Sequence, residues 1–244
     1  MENRNNFDYE EITSAWENNQ PATFIATAFS ALMRKVYLWM TLALAVSGLT
    51  ALYVSRSAGL LQSVSSSVWL LVIAELALVI FLTARIHKMS FRTAGIMFVL
   101  YSVLNGATLS FIFLAYTMSS IATTFFVTAA SFGTMSIVGY TTGKDLSTMG
   151  RYLLFALIGL IIATIVNIFL GNSMLQLIVS GIGVLVFVGL TAYDTQKIKQ
   201  LFLLQAGDIN ESTQKLALMG SLMLYLDFIN LFLYLLRFLG RSNN

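Results

Sequence analysis

Seven long apolar runs divide the chain, and the polar stretches between them are short. Each run approaches the length of about 20 residues that an α-helix needs to cross a hydrocarbon core of about 30 Å. The runs fall near residues 35–55, 68–86, 93–117, 120–142, 151–171, 174–197 and 216–238. We therefore predict an all-α fold, a polytopic membrane protein in which seven transmembrane helices form a bundle.

The polar ends set the expected domain limits. Residues 1–30 are polar and acidic and lack the basic start and apolar centre of a secretory signal, so we expect a polar cytoplasmic N-terminal tail from which nothing is removed. Residues 31–240 form the predicted transmembrane domain, and residues 241–244 form a short C-terminal tail.

Composition supports a membrane protein and excludes several chemistries. The chain is 57% hydrophobic and 10% charged, whereas soluble domains carry about 25% charged residues. It contains no cysteine, so thiol redox chemistry and cysteine-ligated metals are excluded. The net charge of +3 is too small to indicate nucleic acid as a partner. The lipid bilayer is the expected environment.

The basic residues predict the orientation. With a cytoplasmic N-terminus, all of the 14 Lys and Arg residues except Arg56, Arg237 and Arg241 fall on the cytoplasmic side, which agrees with the positive-inside rule. Six spanning helices and a re-entrant segment remain an alternative, because an even count would return the last two arginines to the cytoplasm. The side on which the C-terminus lies therefore stays open.

Three acidic residues lie inside apolar runs: Glu75, Asp194 and Asp227. An ionised side chain at a helix centre costs about 2.5 to 3.5 kcal/mol on insertion scales, so each acid needs a partner or a water-filled interior. Helical spacing places Thr191 on the face of Asp194 and Asn230 on the face of Asp227. These stripes on consecutive antiparallel helices are expected to face each other.

Two readings of the aspartates remain open from spacing alone. They can be packing contacts that bind Lys197, Arg237 or Arg85, or they can form a pair. The predicted helix limits place Asp194 about 10 to 15 Å from the centre of the sixth helix, at about 1.5 Å per residue, while Asp227 is central in the seventh. Their meeting is therefore a hypothesis.

A pair would have two chemical properties. Two carboxylates about 4 Å apart repel by about 4 kcal/mol at an effective dielectric constant of about 20, so the pair would share one proton near neutral pH and sense pH. When both are ionised, Asp194 and Asp227 would attract calcium, which takes six to eight oxygen ligands. With Thr191, Asn230 or water they would form a weak, transient site, with calcium as the permeating ion and no tightly bound cofactor.

Two motifs carry a resemblance to a known family. "GLTAYDTQKIK", residues 189–199, and "YLDFINLFLYLLRFLG", residues 225–240, resemble the paired signature of the Bax inhibitor-1 family, also called the lifeguard or TMBIM family. The likeness extends over about residues 30 to 240. It implies a bundle with the last helix at its centre and a pH-sensitive calcium leak controlled by Asp194 and Asp227. The short chain looks like a bacterial plasma-membrane member.

The resemblance also implies accessory residues. Glu75 matches the acidic position of the second helix in the family. In some bacterial members an arginine near the cytoplasmic end of that helix latches onto the sixth-helix aspartate, and Arg85 is the nearest candidate here.

Other functions must be weighed against a leak channel. Presenilin-like proteases also carry two intramembrane aspartates, but they need Gly-x-Gly-Asp and Pro-Ala-Leu motifs, whereas this chain has Tyr225, Leu226 and Asp227, and its sole proline is Pro21. We therefore expect no enzyme. A proton-coupled small-solute transporter remains an alternative, as does a regulatory protein that binds another membrane protein such as a protease.

Overall fold

The computed structural model describes residues 22–204, 211–241 and 243, and these residues form α-helices joined by short turns. The helices are α1 (Ala22–Arg56), α2 (Ala58–Ser66), α3 (Val68–Arg85), α4 (Phe91–Leu109), α5 (Ile112–Ala115), α6 (Met118–Thr141), α7 (Ser147–Leu170), α8 (Ser173–Leu204) and α9 (Glu211–Leu239). A 3-10 turn, Ile86–Lys88, follows α3.

Seven of these segments are long and apolar enough to cross a membrane, which confirms the predicted helix number for the described residues. They correspond to α1, α3, α4 with α5, α6, α7, α8 and α9. The last of them, α9, runs unbroken for 29 residues. The structure therefore favours seven spanning helices over six and a re-entrant segment.

Several helix limits differ from the predicted ones. Helix α1 begins at Ala22, so the last part of the predicted tail is helical, while residues 1–21 lie outside the described residues. Phe29, Leu32, Met33 and Val36 are buried, and this spacing is that of an amphipathic helix whose apolar side packs on the core. The helix therefore continues beyond the part that lipid alone would require.

The predicted loop between the last two spans is also largely helical. Helix α8 extends to Leu204 and α9 begins at Glu211, whereas the sequence indicated a loop over residues 197–215. Ile198, Phe202 and Leu216 are buried, so apolar packing keeps both helix ends ordered although polar residues interrupt the hydrophobic pattern.

Helix α9 lies at the centre of the bundle. It packs against α8, α1, α6 and α4, and Leu224, Tyr225 and Leu231 have no solvent-accessible surface. A helix that is buried on all sides can carry polar groups away from lipid. The expectation that the last helix is central is confirmed.

Helices α3 and α7 lie at the periphery and turn apolar side chains outward. Trp69, Ile80 and Phe155 are mostly exposed. Exposed apolar surfaces of this extent are incompatible with a monomer in water, and they match a surface that contacts lipid.

Candidate functional site

The aspartates of α8 and α9 meet inside the bundle. The carboxyl groups of Asp194 and Asp227 lie within hydrogen-bonding reach of each other. Asp227 is buried, with 5% of its surface exposed, and Asp194 is partly buried. Two carboxyl groups form a hydrogen bond only when one of them carries a proton.

The register of α8 against α9 explains why these residues meet. A Cβ atom placed on Gly220 would lie 2.9 Å from Cδ1 of Ile198, so these two positions are level with each other. Counting along antiparallel helices from this contact brings Asp194 level with Leu224, about 4.5 Å along the axis from Asp227. The side chains span that distance.

The mismatch in depth is smaller than expected, because the predicted sixth helix was too short. Helix α8 runs from Ser173 to Leu204, so Asp194 lies about 8 Å from its midpoint at about 1.5 Å per residue.

Lys197 is the cation whose charge acts on both aspartates. It follows Asp194 by nearly one turn, and its ammonium lies 5.7 Å from the centre of the Tyr193 ring. Among the side chains that the structure describes, neither aspartate has a basic nitrogen within 4.0 Å. Lys197 therefore contributes a nearby positive charge without forming an ion pair that would replace the contact between the carboxyl groups.

The pair has few other polar neighbours. Within the described part of the chain, no N–H or hydroxyl group donates a hydrogen bond to Oδ2 of Asp227. A buried carboxylate oxygen without a donor is costly. A proton shared with Asp194 reduces that cost, since it removes one of the two negative charges.

The accessory residues on the same helices bond elsewhere. The hydroxyl of Thr191 donates to the Phe187 carbonyl at 2.8 Å, and Nδ2 of Asn230 donates to the Leu226 carbonyl at 2.8 Å. Neither side chain is hydrogen-bonded to an aspartate in the described structure. Both bonds run along the residue's own helix, a local alternative that helical spacing alone does not exclude.

Arg85 does not reach the aspartate pair. Its side chain is exposed, and its guanidinium carbon lies 5.7 Å from the centre of the Phe81 ring. The latch onto Asp194 that the resemblance suggested is therefore absent from this structure. Arg237 is likewise placed over an aromatic ring, that of Tyr234, at 5.7 Å.

Glu75 belongs to a second polar cluster, which consists of Glu75, Asn105, Thr108, Tyr225 and Ser47. Glu75 accepts hydrogen bonds from Thr108 and from Nδ2 of Asn105 at 3.1 Å. Oδ1 of Asn105 accepts the Tyr225 hydroxyl at 2.8 Å, and that hydroxyl lies 2.6 Å from the Ser47 hydroxyl. The cluster connects α3 to α4, and α4 to the central helix α9.

The partners of Glu75 were not predicted from the sequence. Tyr225 is completely buried, and a buried tyrosine hydroxyl needs a hydrogen-bond partner. Its position two residues before Asp227 places it on the other side of α9. That offset was the available signal that a second polar cluster exists.

The described residues contain no cluster of three or more His, Cys, Asp or Glu side chains that could hold a metal ion. Asp194 and Asp227 supply two carboxylates, and a stable calcium site takes six to eight oxygens. The two aspartates alone therefore supply too few ligands for a stable calcium site.

Comparison with known proteins shows to which family the chain belongs. The family model described as "Inhibitor of apoptosis-promoting Bax1" matches residues 29–244. The chain belongs to the Bax inhibitor-1 family. The resemblance seen in the two motifs is thus confirmed over nearly the whole chain.

Several relatives of this Bax inhibitor-1 family protein are bacterial. The chain is 49% identical over 211 residues to the inner membrane protein YbhL of Escherichia coli strain K12, a match that covers 85% of this chain and 90% of YbhL. It is 43% identical over 212 residues to an uncharacterized protein of Deinococcus radiodurans, with 87% and 90% covered. It is 40% identical over 171 residues to an uncharacterized membrane protein of Streptococcus pyogenes, with 70% and 73% covered.

Proposed function

We propose that this protein is a pH-sensitive calcium leak channel, located in the bacterial plasma membrane, in which protonation of Asp194 and Asp227 controls permeation. The observation that carries the proposal is the contact between the two carboxyl groups inside the bundle. In the described structure, no basic group forms an ion pair with either of them.

Charge balance supports a single shared proton. With one proton the pair has a charge of −1, which the single positive charge of Lys197 offsets. Loss of that proton leaves two negative charges in contact, and these repel by about 4 kcal/mol at 4 Å and an effective dielectric constant of about 20. Deprotonation therefore favours separation of α8 and α9 at this level.

The separated pair suits a divalent cation. Two ionised carboxylates offer hard oxygen ligands, and water supplies the remaining coordination of calcium. A site of this strength allows an ion to enter and to leave, as permeation requires. The proposal therefore predicts that calcium flux increases as pH rises and the pair loses its proton.

Calcium flux through the protein in liposomes tests this proposal. In Asp227→Asn, the amide donates to Asp194 as a protonated aspartate would, but it does not titrate; Asp194→Asn acts in the same way from the other helix. We expect both variants to give low flux that no longer changes with pH. Asp145→Asn is the matched control, because Asp145 is exposed and bonds only locally, to the Ser147 amide.

The outcomes of the flux assay separate the competing functions. Flux that keeps the pH dependence of the parent in both variants would contradict control by the pair. Saturable exchange of a solute for protons would identify a transporter, since a leak does not saturate in that way. Binding to another membrane protein that survives both substitutions would indicate a regulatory role independent of the aspartates.

A further inference from the structure

An open apolar groove runs between α1 and α6. It encloses about 1000 Å³, and its lining contains no Asp, Glu, Lys or Arg. The walls include Leu44, Gly48, Phe125 and Gly133, and Phe228 of the central helix also lines it. A volume of this size is typical of a binding site for a small molecule.

The groove follows the membrane-crossing direction. On α1 it extends from Tyr37 to Leu52, which is about 22 Å at about 1.5 Å per residue. This exceeds half of a hydrocarbon core of about 30 Å. The groove is therefore longer than the apolar part of one leaflet, and an acyl chain from that leaflet can lie against it along the whole chain.

One end of the groove is polar. Tyr37 and Ser136 line that end, and Ser136 has only 3% of its surface exposed. Its hydroxyl oxygen is fully buried and lies within hydrogen-bonding reach of the Tyr37 hydroxyl. The two hydroxyl groups make this end of the groove more polar than the rest of its largely apolar lining.

A basic residue lies just beyond the polar end. Arg34 precedes Tyr37 by three residues, so it lies on the same stripe of α1. Its side chain is exposed, and it forms no ion pair with any side chain that the structure describes. Along the groove, the order is therefore a cation, a hydroxyl donor and a long apolar surface.

We propose that the α1–α6 groove binds an anionic phospholipid, with its phosphate at Arg34, its glycerol esters at the polar end that Tyr37 and Ser136 form, and an acyl chain against Phe228. The order of charges and polar groups in such a lipid matches that of the groove. An apolar helix from a second copy of the chain would leave Arg34 without an anionic partner. This proposal does not depend on the calcium leak.

Two glycines allow the groove to be filled without disturbing the fold. A Cβ atom at Gly48 or at Gly133 would have no other atom within 4 Å, and leucine has a better helix propensity than glycine. Gly48→Leu and Gly133→Leu therefore place side chains in the acyl position. Gly159→Leu is the matched control, because Gly159 has the same free space but lies on α7, outside the groove.

The experiment measures retained lipid by native mass spectrometry, with purified full-length protein titrated with phosphatidylglycerol or phosphatidylcholine. We expect the parent and Gly159→Leu to bind phosphatidylglycerol more tightly than phosphatidylcholine. Gly48→Leu and Gly133→Leu are expected to lose affinity for both lipids by about tenfold or more, equivalent to 1.4 kcal/mol or more. Circular dichroism of each variant checks that its helix content matches the parent.

A second substitution tests the contact between the protein and the lipid head group. Arg34→Gln is expected to lower affinity for phosphatidylglycerol by about fivefold, the equivalent of about 1 kcal/mol per basic residue at an anionic membrane surface, and to leave phosphatidylcholine binding unchanged. Arg92→Gln, an exposed residue at the start of α4, controls for general charge. Equal affinity of the parent for both lipids, unchanged binding in both glycine variants, or a dimer that only these variants disrupt would overturn the proposal.

Discussion

At the residue scale, the contact between Asp194 and Asp227 has no ion-pairing basic side chain among the described residues. Arg85 and Arg237 lie against aromatic rings, and Lys197 acts on the pair from beyond ion-pairing distance. A carboxyl group that lacks a direct basic partner in a low-dielectric interior is most easily accommodated when it shares a proton. This is the physical basis on which we propose a shared proton at the site.

The Glu75 cluster provides a prediction that separates stability from gating. Glu75→Ala is expected to lower the free energy of unfolding by about 1 to 3 kcal/mol, because Asn105 and Thr108 lose an acceptor in a partly buried site. Thermal unfolding in detergent measures this loss. Glu75→Gln keeps an acceptor oxygen and should be closer to the parent.

The same variants have a defined effect on transport. Glu75→Gln is expected to leave the pH dependence of calcium flux unchanged, since Glu75 bonds to α4 and not to the aspartate pair. If Glu75→Gln removes the pH dependence, the proton that controls flux is not confined to Asp194 and Asp227.

Single residues were only partly predictable from the sequence. The three intramembrane acids stand out because charge is rare in apolar runs. Their partners do not, because Thr191 and Asn230 can satisfy their hydrogen bonds on their own helices, while Asn105 reaches Glu75 from another helix. Contacts between helices depend on register and rotation, which a one-dimensional pattern does not contain.

At the element scale, small residues bring helices into close contact. Gly106 of α4 faces α1, and a Cβ atom there would lie 2.5 Å from the Ser47 carbonyl oxygen and 2.8 Å from Cβ of Thr50. Backbone approach of this kind contributes to helix packing in membranes. It also holds Ser47 beside the Tyr225 hydroxyl.

This packing gives a stability prediction. Gly106→Ala is expected to destabilise the protein by about 1 to 3 kcal/mol through overpacking, although alanine is the better helix former. Gly159→Ala, which has free space at Cβ, should be neutral or stabilising. The thermal midpoints of the two variants in the same detergent test this difference, and equal midpoints would contradict the close approach.

Helix number was predictable, whereas helix limits were not. Hydrocarbon thickness fixes the minimum length of an apolar run, so seven spans follow from the sequence. Packing inside the protein extends α1 to Ala22 and α8 to Leu204, through residues that are too polar for the lipid criterion. The extension of α8 brings its midpoint closer to Asp194 than the predicted limits did.

At the scale of the whole molecule, a central helix is surrounded by the others. Polar groups gather on the buried α9, while α3 and α7 present apolar side chains outward. This arrangement keeps the polar groups of α9 away from lipid. The lipid-facing α1–α6 groove lies close to this centre, since Phe228 lines it and follows Asp227 in the chain.

Orientation of the whole molecule is a further prediction. The chain contains no cysteine, so single cysteines can be labelled without background. With the N-terminus in the cytoplasm, Ser63→Cys and Asn243→Cys should react with a membrane-impermeant maleimide in intact cells, and His87→Cys only after lysis. The reverse pattern at positions 63 and 87 would mean an inverted topology, and protection of position 243 alone would support a re-entrant last segment.

The shared proton is tested most directly by infrared spectroscopy of the membrane-reconstituted protein, titrated from acidic to alkaline buffer. Protonated carboxyl groups have a C=O stretching band distinct from that of carboxylates. We predict one such band that disappears as pH rises and is absent near neutral pH from both Asp194→Asn and Asp227→Asn, since the proton belongs to the pair. A band that persists unchanged in either variant, or no protonated carboxyl group in the parent near neutral pH, would contradict the account.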